Sequence, residues 1–404
     1  MDEKAKFSVG IDIGTENVRA VVLTEGKEGE LAVVGYNEGK NIGMRKGVVA
    51  NLTGPSEAID RVLGEVERMS GYQVNNATVS INGAQITSER AEGVIAVGTA
   101  DHEISAEDLD RVEAAAVDGR IAANRAVLDV LPLDYTLDDQ NGIKDPMGMT
   151  GVRLKMEACV VSTLTPNLLN LKKATEAASV TTELVEPSVM AGARAVLSEK
   201  QIENGVGVID LGAATTGVAV YEEGDLQYLG VVPVGWNNIT NDLAIVLQID
   251  TEMAEDIKRR FVTGLFEDGE KDIVVRKGRT ELNFSREEVN QVVRDRVAEI
   301  FERARGELVR AKYDQRLPEG IVLIGGGARM RDIDYFAKEA FQAAVKIGVP
   351  HNLGGVAESI YRPEYAAAVG LAMKGIQEAP REGTVKLKKK KGDSKGLFGW
   401  LKKF

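Results

Sequence analysis

The 404-residue sequence holds one cysteine, Cys159, and only two histidines, His102 and His351. A disulfide framework is excluded, and no Cys/His cluster of zinc-binding spacing can be assembled. No run of 18 apolar residues occurs, and the opening MDEKAKFSVGIDIG has no apolar core followed by a small-residue cleavage site. The sequence therefore predicts a cytoplasmic chain without a membrane span. Neither a Walker A motif nor a G-x-G-x-x-G fingerprint is present, which removes the two commonest glycine-rich phosphate cradles. Only 10 prolines occur, and 44% of the residues are hydrophobic, so the chain predicts packed cores rather than disorder.

Charge is unevenly spread. The formal net charge is −12, yet residues 381–404 carry nine Lys/Arg (Arg381, Lys386, Lys388 to Lys391, Lys395, Lys402, Lys403) against Glu382 and Asp393. That stretch is +7 and leaves −19 on the body, which speaks against nucleic acid as a partner and for an anionic surface near the basic end.

Short β-branched runs alternate with helical patterns (FSVGIDIG, VRAVVLTE, ELAVVGYNE, a helix near 53–70, ATVSING), the grammar of an α/β layer. It returns at residue 206 as GVGVIDLGAATTGVAVYEEGDLQYLGVVPV. Asp12-Ile13-Gly14-Thr15 and Asp210-Leu211-Gly212 occupy corresponding places, each an Asp-x-Gly turn between apolar strands. An isolated buried carboxylate is costly. Two facing each other, beside Gly and Thr backbone N–H groups, can hold a hydrated divalent cation and cradle phosphates. A third cluster, Gly325-Gly326-Gly327-Ala328, follows the apolar strand Ile321-Val-Leu-Ile and precedes a helix near 331–342. Glycine there lets backbone approach a ligand closely.

Five segments in order, VGIDIGTENVRA (9–20), EPSVMAGARAVL (186–197), VIDLGAATTGVAV (208–220), IVLIGGGARM (321–330) and PEYAAAVGLAM (363–373), resemble the phosphate-1, connect-1, phosphate-2, adenosine and connect-2 motifs of the actin/heat-shock-chaperone/sugar-kinase ATPase superfamily. The resemblance implies an α/β fold of two lobes with duplicated ribonuclease-H-like cores closing on Mg-ATP. Small-residue connect helices would cross at the hinge. It places Asp12 and Asp210 on the Mg²⁺ and Gly14, Thr15, Glu16, Asn17, Gly212, Ala213, Thr215 and Thr216 around the phosphates. Glu186 would position the attacking water, making Glu186 and Asp210 the catalytic pair. Glu255 and Lys258, with Gly325, Gly326, Gly327 and Ala328, would hold the adenosine. Ala213-Ala214 stands where glycine is common and Asn17 where several relatives place lysine, so the expected activity is ATP binding with weak or regulatory hydrolysis at most.

Residues 84–163 read as an inserted strand–helix–strand–strand subdomain, its helix opened by Ser105-Ala-Glu-Asp108. This block, and the stretch VPVGWNNITNDLAIVLQIDTEMAEDIKRRF, are similar to the FtsA family of bacterial cell-division proteins, although Trp236 sits where glycine is frequent. The expected organisation is a first lobe core of 1–83, 164–204 and 362–378, and a second of 205–232 and 300–361. A subdomain of the second lobe would take 233–299, a basic linker 379–393, and an amphipathic helix 394–404.

In that last segment Leu397, Phe398, Trp400, Leu401 and Phe404 fall on one helical face, with Lys395, Lys402 and Lys403 off it or at its border. Eleven residues are too few to span a bilayer but enough to lie in its surface. The resemblance implies a peripheral protein at the cytoplasmic face of the cell membrane at the division site. Its partners would be the C-terminal tail of the tubulin-like FtsZ, contacted through Arg296, further copies of itself in a filament, anionic lipids and other division proteins. The competing readings are a PilM-like scaffold of type IV pilus assembly, which calls for no such tail, and a sugar-kinase-like phosphotransferase.

Overall fold

The computed structural model describes residues 6–98, 101–261, 272–277 and 280–378. Two compact units emerge. The first takes in the chain to Glu89, Ala123–Leu131 and Cys159–Ile376; the second is built from Arg90–Ala122 and Pro132–Ala158.

The first unit contains one strand plan twice. β1 (Lys6–Ile13), β2 (Asn17–Glu25), β3 (Leu31–Lys40), β4 (Asn76–Ile81) and β5 (Thr181–Pro187) lie in the order β5-β4-β1-β2-β3, with the two-residue strand Gly354–Gly355 outside β3. β6 (Val206–Leu211), β7 (Thr216–Glu222), β8 (Asp225–Val232), β9 (Ile321–Ile324) and β10 (Val345–Ile347) lie in the order β10-β9-β6-β7-β8. In each, three strands form an antiparallel meander, and the fourth runs parallel to the first. Register repeats as well, for Asp12 pairs with Arg19 and Asp210 with Gly217 at the same offset. β9 is buried at every residue, the continuous apolar run expected of a strand covered on both faces.

Two small-residue helices join the halves, α1 (Ser188–Val196) and, at the far end of the chain, α4 (Ala366–Glu378). Between them in sequence come α2 (Thr251–Phe261) and α3 (Arg286–Arg310). A Cβ on Gly370 would fall 1.7 Å from the Ala191 carbonyl oxygen, and one on Gly10 would fall 2.1 Å from that of Ala368. Thus α4 crosses α1 and lies on β1 at backbone contact distance, which is why this stretch reads Ala-Ala-Ala-Val-Gly. α3 buries Val289, Val293, Val297, Ile300, Phe301, Ala304 and Leu308 in the core behind β6, β7 and β9. These residues recur every three or four positions and form one helical face. Its first turn is capped by Ser285, whose side chain accepts from the Glu288 N–H.

The second unit takes the outer parts of strands Thr87–Ala96, Arg153–Leu164 and Arg125–Leu137, and all of Gln140–Ile143, which follow one another in that spatial order, together with helix Ala106–Val117. Ser105 and Asp108 form the expected capping box. The helix seats on Gly93, where a Cβ would lie 2.1 Å from the Val112 carbonyl oxygen. The structure adds one strand to the expected four elements. Asp138 takes a left-handed turn at φ 54°, and the chain doubles back so that Leu137 faces Gln140 and Tyr135 faces Ile143. The polar run Asp138-Asp139-Gln140-Asn141 hides that short strand from a hydrophobicity reading.

Among the described residues no helix is long and apolar enough to cross a membrane. The linker 379–393 and the amphipathic segment 394–404, with Lys395, Leu397, Phe398, Trp400, Leu401, Lys402, Lys403 and Phe404, lie outside the described residues.

Candidate functional site

The two Asp-x-Gly turns close in the same way. The Gly14 N–H donates to the Asn17 carbonyl at 3.0 Å, and the Gly212 N–H to the Thr215 carbonyl at 3.0 Å. Each glycine is required by closeness, since a Cβ would sit 2.8 Å and 2.7 Å from those oxygens. In the first turn the Thr15 hydroxyl accepts from the Gly47 N–H, the Asn41 amide donates to the Gly14 carbonyl at 2.7 Å, and Glu16 pairs with Lys40. In the second, the Trp236 and Asn237 N–H groups donate to the Gly212 and Ala213 carbonyls. Thr216 is fully buried with its hydroxyl on the Val234 carbonyl, so it braces the chain behind the turn rather than opening onto it. Thr215 is also nearly buried.

Asp12 and Asp210 end β1 and β6 and are near enough to repel. Burial, then the Asp12 charge, push Asp210 up to about 6, against the Ser188 hydroxyl and Arg19. Asp12 is likewise raised by burial, with Arg19 and the Ser80 hydroxyl opposing. Ser80 Oγ donates to Asp12 Oδ1 at 2.8 Å and accepts from the Ile13 N–H at 2.8 Å. Ser188 Oγ donates to Asp210 Oδ2 at 2.8 Å and also touches Asn82. Two crowded carboxylates are a hard, oxygen-only donor pair suited to a divalent cation that keeps most of its water. Among the described residues no cluster of three or more metal-ligating His, Cys, Asp or Glu side chains occurs.

The third glycine cluster packs against the second carboxylate. Gly325 takes φ 85°, and a Cβ there would lie 2.3 Å from Asp210 Oδ1. Gly326 has open space, Ala328 is buried, and Gly327 lies under the Trp236 ring, 2.7 Å from where its Cβ would be. On α2, Lys258 pairs with Glu255 at 2.6 Å and donates to the Thr240 hydroxyl at 2.8 Å and the Trp236 carbonyl at 3.4 Å. Burial lowers the Lys258 pKa, partly offset by Glu255. For Glu255 burial pulls upward, but Lys258, Thr240 and Arg259 outweigh it and the net direction is down. Arg259 also lies 4.0 Å from Glu16 of the first turn. The two turns, the glycine cluster and α2 are thus brought together.

Two expected residues are held in ion pairs. The Glu186 carboxylate, 1% exposed, is gripped by Arg194 through both oxygens at 2.5 and 2.8 Å and by Lys374 at 3.3 Å. Arg296 on α3 is held by Asp242 and Glu299. Sequence reading passed over Ser80, Ser188, Arg194, Lys374 and Trp236. Ser188 follows Glu186-Pro187 at the start of a motif already singled out, and Trp236 had drawn notice only as a departure. Ser80 and Lys374 carry no local signal.

The family model described as "Cell division protein FtsA" matches residues 207–370, and that described as "SHS2 domain inserted in FTSA" matches 83–162. The Cell division protein FtsA of Pseudomonas aeruginosa is 34% identical over 93% of this chain and 91% of its own length. That of Borreliella burgdorferi is 30% identical over 98% of both. Among solved structures, one of the PilM-PilN type IV pilus biogenesis complex is similar at a TM-score of 0.67 and 15% identity, covering 91% of this chain and 98% of that one. MreB5 of Spiroplasma citri bound to ADP gives 0.51 and 15% over 94% and 100%. The MamK double helical filament gives 0.51 and 14% over 93% and 99%. At such identities the likeness is one of fold, the mixed α/β actin-like ATPase architecture.

Proposed function

The chain belongs to the FtsA family of cell-division proteins, and from that membership we propose that it binds Mg-ATP between its duplicated sheets, assembles into actin-like filaments on the cytoplasmic membrane, and tethers the FtsZ ring there through its C-terminal segment. The observation that carries the nucleotide part is the pair of matching turns with Asp12 and Asp210 at corresponding positions, close enough for the Asp12 charge to act on Asp210. The site fits a magnesium ion, because two mutually repelling carboxylates with one hydroxyl partner each gain a counter-charge when a cation sits between them. Asp12 and Asp210 would hold it through its water, and the bound ion would offset phosphate charge. The N–H groups of Thr15 and Glu16 and of Ala213 to Thr215, held in place by the turn-closing bonds of Gly14 and Gly212, would orient the phosphates. Gly325 to Ala328, with Glu255 and Lys258, would line the adenosine end. The similarity to an ADP-bound MreB5 and to a MamK filament supports nucleotide binding and polymerisation.

The proposed organisation keeps 84–163 as the inserted subdomain, 233–299 as the partner-facing subdomain and 394–404 as the membrane helix. Five apolar side chains at about 1 kcal/mol each, plus about 1 kcal/mol per nearby lysine, less the cost of ordering the helix, give a weak and reversible anchor. A filament multiplies it by avidity. For Arg296 to meet the acidic FtsZ tail it must exchange Asp242 or Glu299 for that peptide, a swap of one carboxylate for another.

Co-sedimentation with anionic liposomes, FtsZ and Mg-ATP tests the tether, comparing the full chain with one ending at Gly392. FtsZ pelleting only with the full chain is the expected result. A full chain that pellets and leaves FtsZ in solution would remove the division tether and favour a pilus-type scaffold.

A further inference from the structure

Glu186 holds the place in the connect-1 segment from which a carboxylate can orient an attacking water, yet its side chain is committed elsewhere. In the parallel pair of β5 and β4, Glu186 stands opposite Ser80, whose hydroxyl holds Asp12. The acid is therefore level with the metal-side carboxylate and about two strand spacings, roughly 10 Å, from it. Both of its oxygens are bound by side chains of α1 and α4. Arg194 on α1 takes both, Lys374 on α4 takes Oε1 as well, and Arg194 reaches the Gly370 carbonyl at 3.4 Å. Burial alone would lower the pKa of Arg194 and Lys374, but the carboxylates around them outweigh it and both are raised. They stay charged, and three charge-assisted hydrogen bonds tie the Glu186 carboxylate to the two helices.

Lys374 is shared. Its ammonium also donates to Asp129 at 3.0 Å, and Asp129 lies on the strand Arg125–Leu137, which continues into the inserted subdomain. The same root is tied to the second sheet, where the Leu229 N–H donates to Ser88 Oγ at 2.7 Å and that hydroxyl donates to the Leu229 carbonyl at 2.9 Å.

We propose that Arg194 and Lys374 form a latch that holds Glu186 out of the nucleotide cleft and keeps hydrolysis slow, and that Asp129 sets the latch by competing for Lys374. This deepens the nucleotide-binding reading and rests on it. Lys374 and Arg194 are positioning residues, acting on the reaction only through Glu186. With the latch open, the Glu186 carboxylate turns to the attacking water. The water oxygen bonds to the γ-phosphorus, the bond from that phosphorus to the β–γ bridging oxygen breaks, and ADP leaves with that oxygen. The proton lost by the water passes to Glu186 and then to the phosphate released. A change that draws Lys374 toward Asp129 would open the latch.

The test is single-turnover hydrolysis of radiolabelled Mg-ATP by the full chain, with Mg-ATP affinity measured by calorimetry on the same preparations. Lys374→Met is expected to raise the hydrolysis rate about tenfold, less than the roughly hundredfold or more that a fully positioned base supplies because Arg194 still holds Glu186, at unchanged affinity, whereas Lys374→Arg keeps it near the parent rate. Adding Glu186→Gln to Lys374→Met must erase the gain, a double-mutant result that a general loosening of the fold would not give. Asp129→Asn, at a half-buried position, removes the charge that competes with Glu186 for Lys374 and is expected to slow turnover; it serves as the independent reading if Lys374→Met fails to fold. An Lys374→Met rate equal to the parent, a gain that survives Glu186→Gln, or an Asp129→Asn variant at or above the parent rate would overturn the latch. A parent chain without calorimetric Mg-ATP binding would instead defeat the nucleotide reading beneath it.

Discussion

The first and second sheets carry the same hairpin, the same seven-residue offset across it and the same backbone bond closing the turn, yet they treat their carboxylates differently. Asp12 faces Arg19 across its hairpin and takes a hydroxyl from Ser80 on the neighbouring strand of its own sheet. Asp210 faces Gly217, and the strand beside it offers Ile324 at the matching position. Its hydroxyl comes instead from Ser188, on the helix that enters from the other half. The first acid is thus served within its own sheet, whereas the second depends on the junction of the halves. The duplication repeated the backbone and left the partners of the two carboxylates asymmetric, so Asp210 is the acid whose support depends on both halves.

Replacing Asp210 should therefore have the largest effect. Asp210→Asn is expected to weaken Mg-ATP binding at least a thousandfold, about 4 kcal/mol, while raising the stability of the ligand-free protein. The pH dependence has a definite sign. Asp210 has its pKa raised from 3.8 to about 6 in the folded state, so its stabilising contribution is full below pH 4 and is lost as the pH rises through 6. Between pH 5 and pH 7 the parent should lose about 1 kcal/mol from this group, and Asp210→Asn should lose that part of the slope. Calorimetry and urea unfolding at the two pH values check both halves; an unchanged affinity would remove Asp210 from the metal site.

The glycine behind Asp210 sharpens the asymmetry. Gly325→Ala must seat a Cβ 2.3 Å from Asp210 Oδ1 at φ 85°, a combined steric and backbone penalty of about 3 kcal/mol. Gly14→Ala and Gly212→Ala meet nearly identical carbonyl contacts at 2.8 and 2.7 Å and should cost similar, smaller amounts, about 1–2 kcal/mol each. Gly326→Ala, with nothing within 4 Å, should be close to neutral. Thermal unfolding of the four variants ranks them, and a large gap between Gly14→Ala and Gly212→Ala would break the equivalence of the turns.

Much of this was legible in the sequence because it is local. The turns announce themselves as Asp-x-Gly between apolar runs, and α1 and α4 as small-residue stretches whose close crossing at Ala191 and Gly370 needs those residues. What stayed hidden depends on partners far apart in the chain. Ser80 meets Asp12 only because β4 lies parallel to β1 in one register, and Lys374 meets Glu186 only because α4 returns across the first sheet. No spacing rule reports either. Glu186 shows the consequence: its place in the motif was readable, whereas the direction of its side chain was set by Arg194 and Lys374.

The smallest effect separates the two hydroxyls. Ser80 donates to Asp12 and also accepts from the Ile13 N–H, so Ser80→Ala strands a buried backbone donor besides removing a carboxylate partner. Ser188→Ala removes only side-chain contacts, to Asp210 and Asn82. One hydroxyl has one proton, so Asn82 satisfies Ser188 best when its amide donates. An unsatisfied buried donor costs about 1–3 kcal/mol and a lost side-chain bond about 1 kcal/mol. Ser80→Ala should therefore destabilise the ligand-free protein by about 1 kcal/mol more than Ser188→Ala. Ser188→Ala should in turn push the Asp210 titration higher, because the hydroxyl that favours its charged form is gone. Urea unfolding followed across pH 5 to 7 reads both; equal losses of stability, with the Asp210 step unmoved, would mean that the helix hydroxyl is no special support of the second carboxylate.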